Sequence, residues 1–279
     1  MIKPDFEATG GSVQTLILSL IGRFVIDHLD RVTLRPQLCI EALGPGGVPE
    51  KTVRTTLSRM VERGLLKRQR TGRPVAFDIT PAGRAMLAQG RTRLYSETPF
   101  GSGENIWTFL TITQSVGKVG SRYQLHTLLN WAGFARIDAR LWMAPGRIDV
   151  IGQLGQSLSA SALDKLLVFQ GASPHEARFD RLVKKTWNLS SIRAAHHQFR
   201  EKWDRKAIEH DELFQLLAMI NDWAALLEVD PGLPALFNSD GFSSQESRKV
   251  FVAALTRLGP AADRQFADIV ARTDAAGQG

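Results

Sequence analysis

The chain has 279 residues, 43% of them hydrophobic, a formal net charge of +7 and a pI near 9.8. That length suits two or three domains, and no run of eighteen apolar residues is present to span a bilayer. The N-terminus MIKPDFEATGG lacks the charged-then-apolar order of a signal peptide, and a single cysteine cannot form an intrachain disulfide, so a cytoplasmic protein with no membrane partner is expected.

In chain order, VQTLILSLIGRFVIDHL (13–29) reads as a core-forming helix, interrupted by Gln14, Ser19, Arg23, Asp27 and His28. RPQLCIEAL (35–43) is a short second helix, with Cys39 as a small buried apolar residue. Gly44-Pro45-Gly46-Gly47 supplies a turn. In 49–63, Val53, Leu57, Met60 and Val61 recur at helical spacing and form one apolar stripe. Pro49 suits the first turn of this helix, and Gly64 suits a left-handed stop. The opposite face carries Lys51, Thr52, Arg54, Thr55, Ser58 and Arg59, with Glu50 and Glu62 only at the ends. Arginine pairs bidentately with guanine, and Thr and Ser reach phosphates or base edges, so this face is expected to read DNA.

LLKRQRTGRPVAFDIT follows as two strands joined at Thr71-Gly72, with Lys67, Arg68, Arg70 and Arg73 at the hairpin and its tip. Thr80 then caps a helix that has Pro81 at its first position. Helix, turn, basic helix, basic hairpin and capped helix is the order of a winged helix-turn-helix, whose wing contacts the phosphate backbone or the minor groove. From Lys51 to Arg93 there are eleven basic residues and two acids. That local balance of +9 exceeds the whole-chain charge, so the positive field is concentrated here.

SETPFGSGEN (96–105) reads as a linker after a DNA-binding domain over 1–95. WTFLTITQ (107–114), FARIDAR (134–140), LWMAP (141–145) and LDKLLVFQG (163–171) read as strands. RYQLHTLLNWAG (122–133), stopping at Gly133, and RIDVIGQLG (147–155) read as helices. The resulting β-α-β-β-α-β order fits a ferredoxin-like domain over 106–173. Residues 174–279 read as a helical C-terminal domain. Its helices are expected at 175–189, 191–207, 211–229 and 243–259, with Asp230-Pro231 breaking the third. The last starts at a Ser243–Glu246 capping box and ends at Gly259, after which the tail continues helically. The fold class is therefore multidomain α+β.

Four stretches in order resemble the PaaX family of bacterial regulators, the phenylacetate-degradation repressors. They are VRTTLSRMVERGLLKRQRTGRPVAFDITPAGRAML (53–87), LLNWAGFARIDARLWMAPG (128–146), LVKKTWNLSSIRAAHHQFREKW (182–203) and EVDPGLPALF (228–237). The third has Trp187-Asn188-Leu189 where the family usually has Trp-Asp-Leu. The fourth matches the family's Asp-Pro-x-Leu-Pro loop. Arg140 stands where the middle motif often has Gly, and Ser239-Asp240-Gly241-Phe242 where Asp-Trp-Pro-Gly often follows the loop. The resemblance implies a homodimeric repressor of an aromatic-acid catabolic operon, bound to double-stranded operator DNA. It also implies release by an aromatic acyl-CoA thioester. Such a ligand needs cations for its phosphates and an apolar slot. Arg136, Arg140, Lys184, Lys185, Arg193 and Arg200 are candidate cations, with Trp142, Trp187 and Trp203 as apolar partners. Trp131, Trp142, Trp187, Trp203 and Trp223 also suit domain packing.

Six histidines invite a metal reading, but no HExxH or CxxC motif is present, and adjacent His196 and His197 are expected to point one inward and one outward. Without GxSxG, P-loop or GxGxxG, neither catalysis nor a cofactor is expected. Two alternatives remain: a winged-helix protein adaptor, and a ferredoxin-like nuclease. The second lacks the carboxylate that two-metal chemistry needs on its first strand, since WTFLTITQ has no acid.

Overall fold

The computed structural model describes residues 13–28, 31–69, 75–101, 104–113, 125–126, 128–130, 132–155, 158–172, 177–204, 211–234, 237 and 244–275. Its fold is mixed α/β with two small sheets. The first elements are α1 (Val13–Leu20), α2 (Pro36–Leu43), α3 (Glu50–Glu62), β1 (Leu66–Arg68), β2 (Phe77–Ile79) and α4 (Pro81–Leu94). Next come β3 (Ile106–Ile112), β4 (Ala135–Arg136), β5 (Leu141–Pro145), α5 (Val150–Leu154), α6 (Ala160–Leu163) and β6 (Leu166–Ala172). The chain closes with α7 (Ala177–Thr186), α8 (Leu189–Trp203), α9 (Glu212–Val229) and α10 (Ser244–Ala275). Contacts divide it into two compact units. One comprises Met1–Ala88, Glu201–Ala225 and Arg248–Gly279; the other comprises Gln89–Arg200 and Leu226–Ser247. Residues 174–279, read from sequence as one helical domain, thus contribute to both.

In the first unit α1 buries Val13, Leu16, Ile17 and Leu20. A wide π-helical turn over Ile21–Val25 follows, closed by the Ile26 N–H on the Ile21 carbonyl, so the helix expected over 13–29 is not regular throughout. Helices α1, α2 and α3 pack on one another. Cys39 is fully buried, and burial pushes its thiol up to about 12, which leaves it inert. The later part of α10 packs on the π-helical turn and reaches the start of α2. Phe24 stacks on Phe266 at 4.7 Å, Arg23 pairs with Asp263 at 2.9 Å, and Arg35 donates to Asp274 and to the Thr273 carbonyl, both at 2.8 Å.

Gly259 does not end α10. Its buried stripe of Ala254, Leu258, Ala262, Phe266 and Ile269 runs past Pro260, so packing outweighs the backbone hydrogen bond that proline removes. Ser243 of the expected capping box lies outside the described residues.

The second unit is built on an antiparallel sheet in the order β4-β5-β3-β6. One face packs Leu110, Trp142, Ala144 and Leu166 against Leu125, Leu128, Leu129 and α5. The other packs Trp107 and Met143 against Phe179, Val183, Trp187, Ile192, Leu233 and Phe237. Trp107 meets Phe179 edge-on at 5.0 Å and Phe237 at 5.9 Å. The strand expected over 134–140 is only two residues long, because the chain turns at Asp138, where Arg136 donates to the Asp138 and Ala139 carbonyls. Gly133 has φ +85°, and the Phe134 and Gly133 amides return to Leu129 and Asn130, which ends the preceding helical turn as expected.

A buried polar hub holds the loop after α9. Asp230 accepts from Gly232 N at 2.8 Å, from the Ser244 hydroxyl at 2.9 Å and from His196 Nε2 at 3.0 Å, while Ser247 Oγ lies 2.8 Å from His196 Nδ1. His196 is buried and His197 exposed. Gly232 is irreplaceable on two counts: its φ is +82°, and a Cβ would stand 2.1 Å from the Phe100 carbonyl. Phe100, in the segment read as a linker, is itself buried against the His196 ring.

Burial alone would raise the Asp230 carboxyl, but the hydrogen bond and charge of His196, with the Gly232 and Ser244 donors, bring it below the ordinary value of 3.8. A lowered carboxyl contributes stability that is complete above its unfolded pKa and is lost as pH falls through the folded one. Asp230→Asn is therefore expected to lower stability at pH 7 by about 3–5 kcal/mol. Its deficit relative to wild type should shrink on acidification below the ordinary carboxylate range. Urea denaturation against pH measures both; a deficit independent of pH would contradict an ionised Asp230.

Candidate nucleic-acid interface

Helix α3 is positioned by what it buries. Val53, Leu57 and Met60 are fully enclosed and Thr56 joins them, whereas Val61, expected in the stripe, is only half-buried. Each enclosed apolar side chain favours burial by roughly 1.5–3 kcal/mol, so the rotation of α3 about its axis is fixed. The same rotation exposes Lys51, Thr52, Arg54, Thr55 and Arg59 and half-exposes Ser58. At 100° per residue these six cover an arc of roughly 160° opposite the core.

Both ends of α3 are anchored. Pro49 is the N-cap, not the first helical residue, and its φ of −66° and ψ of 139° are extended. At the C-terminus the Leu65 and Gly64 amides donate to the Met60 and Val61 carbonyls, with Gly64 at φ +71°. This double closure turns the chain sharply into β1. Thr80 locks the turn: its hydroxyl lies 2.6 Å from the Gly64 carbonyl and accepts from the Gly83 amide at 3.0 Å, capping α4 as expected.

Strands β1 and β2 pair antiparallel, Leu66 opposite Ile79 and Arg68 opposite Phe77. The Phe77 amide also bonds to the Leu34 carbonyl at 2.9 Å, adding a one-residue third strand that no periodic pattern in the residues foreshadows. Arg68 Nη2 reaches Ser58 Oγ at 3.4 Å, so the hairpin base lies against the polar face of α3. Lys67 faces Asp78 at 3.5 Å, which offsets part of its charge. Arg70, Thr71, Gly72 and Arg73, at the expected tip, lie outside the described residues. On α3 itself, Thr55 Oγ1 donates to the Lys51 carbonyl, and Arg54 pairs with Glu50 at 2.7 Å.

Trp142 and Trp187 lie in the cores on opposite faces of the sheet. Arg136, Arg140, Lys184 and Lys185 are exposed, and Arg193 and Arg200 half-exposed. Trp203 is buried in the first unit and donates to Asp222 at 2.9 Å. Trp223 is buried too, stacked on Phe251, and Trp131 lies outside the described residues. Among the described residues no group of three or more His, Cys, Asp or Glu side chains could hold a metal, and no helix is long and apolar enough to cross a membrane. Sequence reasoning missed the Asp230 hub; the only signal for it was an acid directly before proline at a helix end.

Two family models match the chain. PaaX-like protein covers residues 12–83 and PaaX-like protein C-terminal domain covers 187–268, together more than half its length. The transcriptional repressor PaaX of Escherichia coli is 24% identical over 240 residues, covering 80% of this chain and 72% of the repressor. An uncharacterised protein of Mycobacterium tuberculosis, Rv0674, has a similar fold, with a TM-score of 0.50 and 19% identity, over 91% of this chain and 98% of that one.

The turn after α3 makes a paired prediction. A Cβ on Gly64 meets nothing within 4 Å, so Gly64→Ala costs only backbone strain, about 1–2 kcal/mol. Gly64→Asn should cost less. A Cβ on Gly83 would lie 2.3 Å from the Leu65 carbonyl, so Gly83→Ala should destabilise by about 1–3 kcal/mol although alanine normally favours a helix. Urea denaturation reads each; a Gly83→Ala protein more stable than wild type would contradict the packing described.

Proposed function

The chain belongs to the PaaX-like family, and we propose that it is a dimeric, sequence-specific DNA-binding transcriptional regulator in the cytoplasm. In this reading it represses a catabolic operon of the aromatic-acid type and is released by an acyl-CoA thioester. The observation that carries the reading is the polar arc of α3, whose one acid, Glu62, sits at the last residue of the helix, set opposite a buried stripe. Residues 1–95 then act as a winged helix-turn-helix, with α2 and α3 as the helix pair and β1–β2 as the wing. Lys51, Thr52, Arg54, Thr55, Ser58 and Arg59 face the major groove, and Arg68, Arg70 and Arg73 hold the backbone. The β4-β5-β3-β6 order supports a ferredoxin-like middle domain over 106–173, between a DNA-binding domain over 1–95 and a helical C-terminal segment over 174–279. The name of the Escherichia coli relative supports repression.

An acyl-CoA carries several phosphates, and Arg136, Arg140, Lys184, Lys185, Arg193 and Arg200 are the cations proposed to meet them. Trp142 and Trp187 are buried, so they act by shaping the fold beneath such a site and not by open stacking. The proposed regulator needs no metal, cofactor or catalytic step.

Fluorescence anisotropy on the chain's own upstream intergenic duplex, against a scrambled one, tests the reading. Selective binding released by phenylacetyl-CoA or a related thioester is the expected result. Selective binding that no thioester disturbs would remove the effector and keep the regulator. Equal binding to both duplexes would favour an adaptor for an acidic protein. Arg54→Ala should weaken specific binding by about 1–3 kcal/mol. Arg70→Ala should weaken binding to all sequences and lower the salt slope by about one. A lost preference with an unchanged slope in Arg70→Ala would overturn the wing assignment.

A further inference from the structure

Glu50 stands at the edge of the polar arc, one helical turn before Arg54, at the margin with the buried stripe. Its Oε1 accepts from Arg54 Nε at 2.7 Å, and Arg54 Nη2 lies 2.7 Å from the same oxygen. A guanidinium has five donors in a rigid fork. The carboxylate occupies the Nε–Nη2 side of that fork. The outer Nη1–Nη2 edge is left free, and it is an edge able to donate to guanine O6 and N7 together.

Both side chains are more than half exposed, so the pair adds little to folding stability. Its order, acid before base at four residues' spacing, is the favourable one on a helix. An acid beside a DNA-facing arc also repels phosphate and weakens sequence-independent attachment. What it supplies in return is direction: an otherwise long, rotatable arginine is held with one edge presented.

We infer that Glu50 is a positioning residue that sets base specificity, by holding the Arg54 guanidinium with its outer edge toward a guanine in the major groove. This rests on the reading of α3 as the helix that enters DNA. Glu50 itself touches no base. Its removal lowers discrimination at the position Arg54 reads and raises affinity for unrelated DNA.

Selection from a randomised duplex pool, with sequencing of bound DNA, tests this whatever the operator sequence is. Wild type, Arg54→Ala, Glu50→Ala, Glu50→Gln and the Glu50→Ala/Arg54→Ala double variant are compared, each checked for folding by circular dichroism. Arg54→Ala is expected to flatten a guanine preference at one position of each half-site. Glu50→Ala should flatten the same position by about tenfold, and the double variant should be no flatter than Arg54→Ala, because the two residues act as one unit. Glu50→Gln, whose amide oxygen still accepts a hydrogen bond, should retain more of the preference than Glu50→Ala.

A Glu50→Ala profile identical to wild type would overturn the inference. So would a change confined to a position other than the one Arg54 reads, since Glu50 would then be reading its own base. If wild type itself selects no sequence, the DNA-reading function falls and takes this inference with it. That failure is distinct from a selective wild type whose profile is indifferent to Glu50.

Discussion

Everything proposed for this protein turns on the burial of one side of α3. Val53, Leu57 and Met60 leave the helix a single rotation about its axis, and that rotation decides which side chains meet solvent. A helix has no other means of aiming six polar residues in one direction. The two ends convert this phase into a position. Pro49 and Gly47 bring the chain in, and the Gly64 turn, locked by Thr80, sends it out into β1 with Arg68 lying against Ser58. The polar face is a consequence of the apolar one.

The second unit follows a different logic. Its sheet is covered on both faces, so its tryptophans serve packing more than recognition: Trp107 and Trp187 on one side, Trp142 on the other. The Asp230 hub adds a polar constraint inside this apolar frame. One carboxylate satisfies a loop amide, the first hydroxyl of α10 and a buried imidazole of α8. The backbone carbonyl of Asp230 also accepts from Arg93 at 3.1 Å. Removing any one partner leaves the others buried without their bonds, which is why such groups act as a unit.

Much of this was legible in the residues, for identifiable reasons. The stripe of α3, the Thr80-Pro81 start of α4 and the left-handed glycines 64 and 133 are local signals, written within a few residues by side-chain sterics and capping chemistry. The strands of the sheet overlap the stretches rich in β-forming residues. What escaped were features set by distant partners. The pairing of Leu34 with Phe77 involves single residues and carries no period. The run of α10 past Gly259 and Pro260 depends on its buried stripe, against the local stop signal. The hub joins residues 196, 230, 244 and 247, none of which announces the others. Residue type alone does not say which face of a sheet a tryptophan takes, and Trp142 and Trp187 take opposite ones.

The entry of α3 into the major groove is tested most directly by dimethyl sulfate protection on a selectively bound duplex. The reagent methylates guanine N7 in the major groove and adenine N3 in the minor groove. Protection of guanine N7 is expected in two half-sites separated by about one helical turn or a multiple, roughly 34 Å centre to centre. The protection assigned to Arg54 should be lost in Arg54→Ala. Protection of adenine N3 alone, with every guanine N7 still reactive, would place the protein in the minor groove and contradict a DNA-reading α3.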